Sequence, residues 1–127
     1  MWGKPPFYIP DNYAVDVRNL AAAREWYMEK LGLRQARTDR VEDSGRPFAD
    51  LHISNADQFL SLVELESGSH AESRHVVFFA GNLEKAYSWL TSRGVAVEPI
   101  TSDSGGNRFF RFHDLEGNSI EVCLEPG

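Results

Sequence analysis

The chain spells out one pattern twice, and that repetition limits its possible folds more than any single motif does. Asn12 matches His75, Asn19 matches Asn82, Leu20 matches Leu83, Ala23 matches Ala86 and Trp26 matches Trp89, each pair 63 positions apart. The glycines that end the two helical stretches, Gly32 and Gly94, are 62 apart. Each half reads as a strand, a capped helix and further strands. A unit of this size cannot hide its apolar face alone, so the halves must pack on one another or pair across a dimer.

Within the first half, Tyr13, Val15 and Val17 alternate with Ala14 and Asp16, as a strand with one polar face does. Asn19 is a good N-cap for a helix over Leu20–Leu31, with Leu20, Ala23, Tyr27 and Leu31 on one stripe. Gly32 ends that helix in a left-handed conformation. Strands are expected over Leu33–Val41, Phe48–Ser54 and Gln58–Leu65, the last two joined around Asn55-Ala56-Asp57. The second half repeats this order. It has a strand at His75–Ala80, a helix capped by Asn82 with Leu83, Ala86, Tyr87 and Leu90 on its stripe, a strand at Val95–Ile100 and a Gly/Ser loop at Thr101–Asn107. A hairpin over Phe109–Leu124 closes the chain, with Gly117 and Asn118 able to take positive φ. Residues 1–11, with Pro5, Pro6 and Pro10, read as an extended arm outside the core. The expectation is a single α+β domain over 1–127: module one about 11–66, a linker about 67–73 and module two about 74–125.

Composition excludes several classes of protein. Eight Phe, four Tyr and three Trp in a chain 42% hydrophobic argue for a packed core rather than disorder. The net charge of −6 and the absence of a dense basic run argue against nucleic acid and anionic membranes as partners. The apolar run Val76–Ala80 is too short to span a bilayer, and the first residues lack the apolar core of a signal peptide. A lone Cys123 cannot form an internal disulfide, so a cytoplasmic protein is expected.

Two stretches carry a family resemblance. One runs from Tyr13 to Leu20 and continues at Trp26-Tyr27-Met28-Glu29-Lys30-Leu31-Gly32-Leu33. The other is Phe110-Arg111-Phe112-His113-Asp114-Leu115-Glu116-Gly117-Asn118-Ser119-Ile120-Glu121. Together they resemble the vicinal oxygen chelate superfamily, the glyoxalase/bleomycin-resistance/dioxygenase fold, over roughly residues 11–125. Leu115 replaces the proline of the family's closing signature, and Glu116 replaces its second aspartate. The resemblance implies two βαβββ modules forming a concave mixed sheet, and a homodimer. The fold hosts lyases, dioxygenases and plain binding proteins alike, so it does not itself choose a function.

The family's metal ligands lie on the first and last strands of each module. Carried over residue by residue, module two matches with His75 and Glu121. Module one offers Asn12 and Ser61, a neutral amide and a hydroxyl. A divalent ion such as Fe, Mn, Ni or Zn commonly needs a third strong protein donor. Glu121 is also the candidate catalytic base, since partial burial raises a carboxyl pKa. Strand alternation adds Asp16, His52, Phe79, Phe109, Arg111 and His113 as ligand-binding candidates beside Asn12 and Ser61. Arg111 and His113 can equally be structural partners of Glu121, and Cys123 reads as an inert buried thiol. The expected function is a small-molecule-binding protein holding an organic ligand in the sheet cavity without a catalytic metal. The alternative is a metal-dependent lyase or dioxygenase using His75 and Glu121.

Overall fold

The computed structural model describes residues 4–53, 58–66 and 75–126. The proposed linker at 67–73 and the Asn55-Ala56-Asp57 turn lie outside them. The first module comprises β1 (Tyr13–Val17), α1 (Leu20–Trp26) running on into a π-helical turn (Tyr27–Leu31), β2 (Arg34–Arg40), β3 (Pro47–His52) and β4 (Phe59–Glu64). The second comprises β5 (His75–Ala80), α2 (Leu83–Ser92), β6 (Thr101–Ser102), β7 (Arg108–His113) and β8 (Ser119–Leu124). Among the described residues the strands form two four-stranded sheets of identical order, β1-β4-β3-β2 and β5-β8-β7-β6. The pairs β1/β4 and β5/β8 are parallel and the others antiparallel. No described helix is long and apolar enough to cross a membrane.

Period-two patterning builds both sheets. Val15, Val17, Leu51, Leu60 and Leu62 are buried on one face of the first, as are Val76, Phe78, Phe110, Phe112, Ile120 and Val122 on the second. Their alternates form the opposite, polar faces. Each helix starts where an asparagine caps it: Asn19 Oδ1 accepts from Ala22 N and Asn82 Oδ1 from Lys85 N, both at 3.0 Å. The helical stripes are buried as their spacing predicts, at Ala23, Tyr27 and Leu31 and at Leu83, Ala86 and Leu90.

The one-residue mismatch in the repeat has a structural cause. Thirteen positions separate Asn19 from Gly32, but twelve separate Asn82 from Gly94. The extra residue of the first helix is absorbed by the π-helical turn, where Gly32 N–H bonds to Tyr27 O, five residues back. Gly32 then sits at φ 79°, against the Trp89 indole of the second helix. Trp89 Nε1 in turn donates to Leu31 O at 3.3 Å, so this tryptophan serves packing between the modules.

Three expectations are corrected. The N-terminal arm belongs to the core: Phe7 and Ile9 are 2% and 0% exposed, and Tyr8 forms a two-bond bridge with Phe79 on the open edge of β5. Its prolines keep it extended, and extended chain is what an edge strand accepts. The strand expected at Val95–Ile100 reduces to a single bridge from Val97 to Phe112, with the two-residue β6 beyond it. Pro99 lacks the N–H that a continuous ladder would require. In the closing turn Gly117 alone takes positive φ, at 88°, and Asn118 stays in an ordinary conformation.

Candidate functional site

Strand register fixes what meets Glu121. Arg111 on β7 lies directly across from it, and Val77 on parallel β5 flanks it on the other side. Phe79, Phe109 and Cys123 share the same face by alternation. The result is a cleft of ≈ 550 Å³ over the polar face of the second sheet. Its walls are Phe79, Phe109, Leu124 and Pro126; its charged groups are Asp103, Arg108, Arg111, Glu121 and Glu125.

Glu121 is the hub, with 16% of its side chain exposed. Arg111 Nε donates to its Oε1 at 3.0 Å, and Cys123 Sγ donates to its Oε2 at 3.1 Å. His75 Nε2 stands 3.8 Å from Oε1, within ion-pair range but beyond a hydrogen bond. The Arg111 guanidinium also lies 5.0 Å from the centre of the Phe109 ring. Burial, with the neighbouring Glu121 adding to it, pushes the Cys123 thiol up to about 12. It is therefore a protonated hydrogen-bond donor at neutral pH, in keeping with an inert thiol.

The remaining charged groups of the cleft also have partners. Glu125 Oε2 accepts from Tyr8 OH at 2.6 Å, tying the N-terminal arm to the rim. Asp103 accepts from Gly105 N, Asn107 N and Asn107 Nδ2 within its own loop. Arg108 Nη2 reaches out to Glu84 at 2.6 Å.

The first-module candidates lie on the other sheet and do not line this cleft. Register confirms that Ser61 is the counterpart of Glu121, since Tyr13 faces Leu60 as Val76 faces Ile120. Asn12, Ser61 and Asp16 are nonetheless committed locally. Asn12 Oδ1 accepts from Phe59 N at 2.8 Å, and Ser61 Oγ donates to Asp50 Oδ1 at 2.5 Å. Asp16 pairs with Arg46 at 2.9 Å. His52 tilts against Phe59 at 4.8 Å, and its Nδ1 is buried with no partner among the described residues. Asp50, opposite Ser61, occupies the register place that Arg111 holds opposite Glu121. His113, across from Ser119, also stays out of the cleft. No group of three or more His, Cys, Asp or Glu gathers at metal-binding spacing among the described residues.

Of the candidates, then, the cleft unites Phe79, Phe109, Arg111 and Glu121, with His75 beside Glu121. It adds Asp103, Arg108 and Glu125, which strand alternation could not find because they sit on a loop, at a strand start and beyond the last strand.

The closing signature has a structural role of its own. Asp114, 7% exposed, accepts from Tyr27 OH at 2.5 Å, from Asn118 N and Nδ2, and from Glu116 N. Burial, reinforced by the Asp114 charge, raises the Tyr27 phenol well above its usual range. Glu116 accepts from Arg18 N and Asn19 N, at the start of α1. The turn of module two thus clamps the helix of module one.

Two like sheets, each backed by its own helix, with a polar-faced cleft on one of them, define a protein of the paired βαβββ class. The chain belongs to the Glyoxalase/Bleomycin resistance protein/Dioxygenase superfamily, whose family model matches residues 10–122. It is 27% identical over 108 residues to the uncharacterized protein YwkD of Bacillus subtilis, covering 79% of this chain and 84% of that one. Solved structures of like fold include a glyoxalase family protein from Enterococcus faecalis, with a TM-score of 0.70 at 22% identity, over 88% of this chain and 94% of the other. An integron cassette protein from the mobile metagenome of the Halifax Harbour sewage outfall gives 0.74 at 24% identity, over 91% and 97%. At such identities these two structures speak for the fold alone.

Proposed function

We propose that this chain is a small-molecule-binding protein that holds an organic ligand in the cleft over β5, β7 and β8 without a catalytic metal. The observation that carries the reading is the state of the four positions where the family places ligands. Asn12 has spent its amide oxygen on Phe59 N, and Ser61 directs its hydroxyl to Asp50. Glu121 is engaged by a guanidinium and a thiol. Among the described residues His75 makes no hydrogen bond through its side chain; it is 51% exposed and 3.8 Å from Glu121. A divalent ion would have to displace Arg111 from Glu121 and would gain one imidazole in return, so this donor set does not fit a tightly held metal. The mixture of aromatic walls and convergent charges suits an organic ligand.

The chain forms a homodimer in this reading, the polar face of one protomer's first module closing the partner's cleft. Asp50 and Arg111 stand at equivalent register positions with opposite charge, each also paired within its own sheet, to Arg37 and Glu121, so that the two faces offer complementary ion pairs. Closure of the cleft would bury more of any ligand.

A thermal-shift screen of small organic compounds in the presence of chelator tests the proposal, with light scattering to give the oligomeric state. Stabilising compounds are expected, with no stabilisation from Ni, Mn, Fe or Zn. Stoichiometric metal in protein purified without chelator, lost in both His75→Ala and Glu121→Gln, would overturn it. That result would restore the lyase or dioxygenase reading.

A further inference from the structure

The charged groups of the cleft are unequally satisfied, and the imbalance selects a ligand class. Every carboxylate there already accepts hydrogen bonds: Glu121 from Arg111 and Cys123, Glu125 from Tyr8, and Asp103 from its own loop. The two guanidiniums are the exception: among the described residues Arg108 spends only Nη2, on Glu84, and Arg111 is the one held against the sheet face by Glu121. A guanidinium carries five N–H donors. Arg111 uses Nε on Glu121, and neither Nη1 nor Nη2 donates a hydrogen bond among the described residues. Its side chain is 47% exposed, and Phe109 lies under the guanidinium plane at 5.0 Å. The group is therefore anchored at one edge, supported from below and open along the fork formed by its two terminal nitrogens.

We infer that the cleft takes an organic carboxylate, its oxygens on the Nη1 and Nη2 fork of Arg111 and its apolar body against Phe79, Phe109, Leu124 and Pro126. A planar carboxylate matches the guanidinium fork with two parallel hydrogen bonds. Glu121, the carboxylate at the centre of the cleft, already has its charge paired with Arg111, whereas Asp103 and Glu125 accept from neutral donors only and are the groups a competing cationic ligand would have to use. A dianionic phosphate would face Asp103, Glu121 and Glu125 together, three carboxylates against the two guanidiniums of Arg108 and Arg111. Among anions, one with a single negative charge and an apolar tail meets the least repulsion. Glu121 then orients Arg111 and does not itself contact the ligand, so Arg111 determines specificity and Glu121 positions it. This inference rests on the ligand-binding reading above.

Three probes sharing one aromatic body separate the two proposals: 2-naphthylacetate, its neutral amide and 2-(2-naphthyl)ethylamine, each titrated into the full chain by calorimetry. The acid is expected to bind at least tenfold more tightly than the amide, and the amine more weakly than both. Arg111→Gln should remove the preference of acid over amide, and Arg111→Lys, which keeps the charge but not the planar fork, should reduce it severalfold. Glu121→Gln, which removes a repelling charge while its amide oxygen can still accept from Nε, should tighten the acid severalfold. Equal binding of acid and amide to the wild-type chain would overturn the carboxylate inference and leave the binding cleft standing. Preference for the amine, with loss of binding in Glu121→Gln, would overturn it in favour of a cation site. Failure of all three probes would sink the inference together with the reading beneath it.

Discussion

Removing one oxygen atom, in Tyr27→Phe, tests how the two modules are held together. Tyr27 is 1% exposed, and its hydroxyl donates at 2.5 Å to Asp114, itself 7% exposed. A hydrogen bond to a charged acceptor contributes about 1.5–3 kcal/mol, and the loss includes the cost of leaving the partner underused. Asp114 keeps three other donors, Glu116 N, Asn118 N and Asn118 Nδ2, so the expected loss lies at the lower end. About 1.5–2 kcal/mol corresponds to a fall of roughly 5–10 °C in Tm for a domain of this size. Urea unfolding followed by tryptophan fluorescence should show a lower midpoint with an unchanged slope. The decisive comparison is the same substitution in Asp114→Ala. There the hydroxyl has already lost its acceptor, so its removal should cost nothing or stabilise. Equal losses in the two backgrounds would mean that the bond contributes nothing and that the reasoning fails.

The same burial makes the fold sensitive to alkali. Tyr27 keeps its proton in the native state above the ordinary tyrosine value of 10.0, whereas the unfolded chain releases it there. The unfolded state then binds fewer protons, and stability falls as pH rises beyond 10, by up to about 1.4 kcal/mol per pH unit for this group. Tyr27→Phe should flatten the stability profile above pH 10. Cys123, raised from 9.0 to about 12, acts with the same sign in the window between those values, and Cys123→Ser should flatten that part. A wild-type profile that stays level from pH 9 to 11 in denaturant titrations would contradict both. Gly32→Ala places a methyl group 2.8 Å from Trp89 Cζ2 at φ 79°. Left-handed strain of roughly 1–2 kcal/mol and overpacking of about 1–3 kcal/mol predict a loss of about 2–5 kcal/mol. A melting temperature within a degree of wild type would refute the close approach.

The features legible in the sequence are those governed by local period and capping. Alternation such as Val15/Asp16/Val17 assigns sheet faces without knowledge of the partner strand, and Asn19 and Asn82 mark helix starts through bonds to residues three positions on. The Arg111–Glu121 pair could be read because one tight turn sets the hairpin register. The burial of Phe7 and Ile9 could not be read, since only the assembled edge of β5 gives the arm something to pair with. The same holds for Asp103 and Glu125, whose loop and terminus approach the cleft only after the second sheet has formed. Repeat equivalence placed Ser61 in register with Glu121, but register within a module does not bring two modules' faces together. Asp16, His52 and Ser61 thus remained on a separate sheet. Asp114 and Glu116 belonged to a motif read for its turn, and nothing local announced that they reach back to α1.

That reach has a consequence for how the molecule is made. The amides of Arg18 and Asn19 wait for Glu116, and the hydroxyl of Tyr27 waits for Asp114, partners 87 to 98 positions later in the chain. During synthesis the first module leaves the ribosome with its helix incompletely satisfied, and it stays so until nearly the whole second module has followed. Contacts of such long sequence separation close late and slow folding. Despite its doubled pattern, the chain is therefore not two independent folding units. A copy cut between the modules would lose the clamp on α1, and the first half would be left with an exposed helix start and a buried phenol without an acceptor.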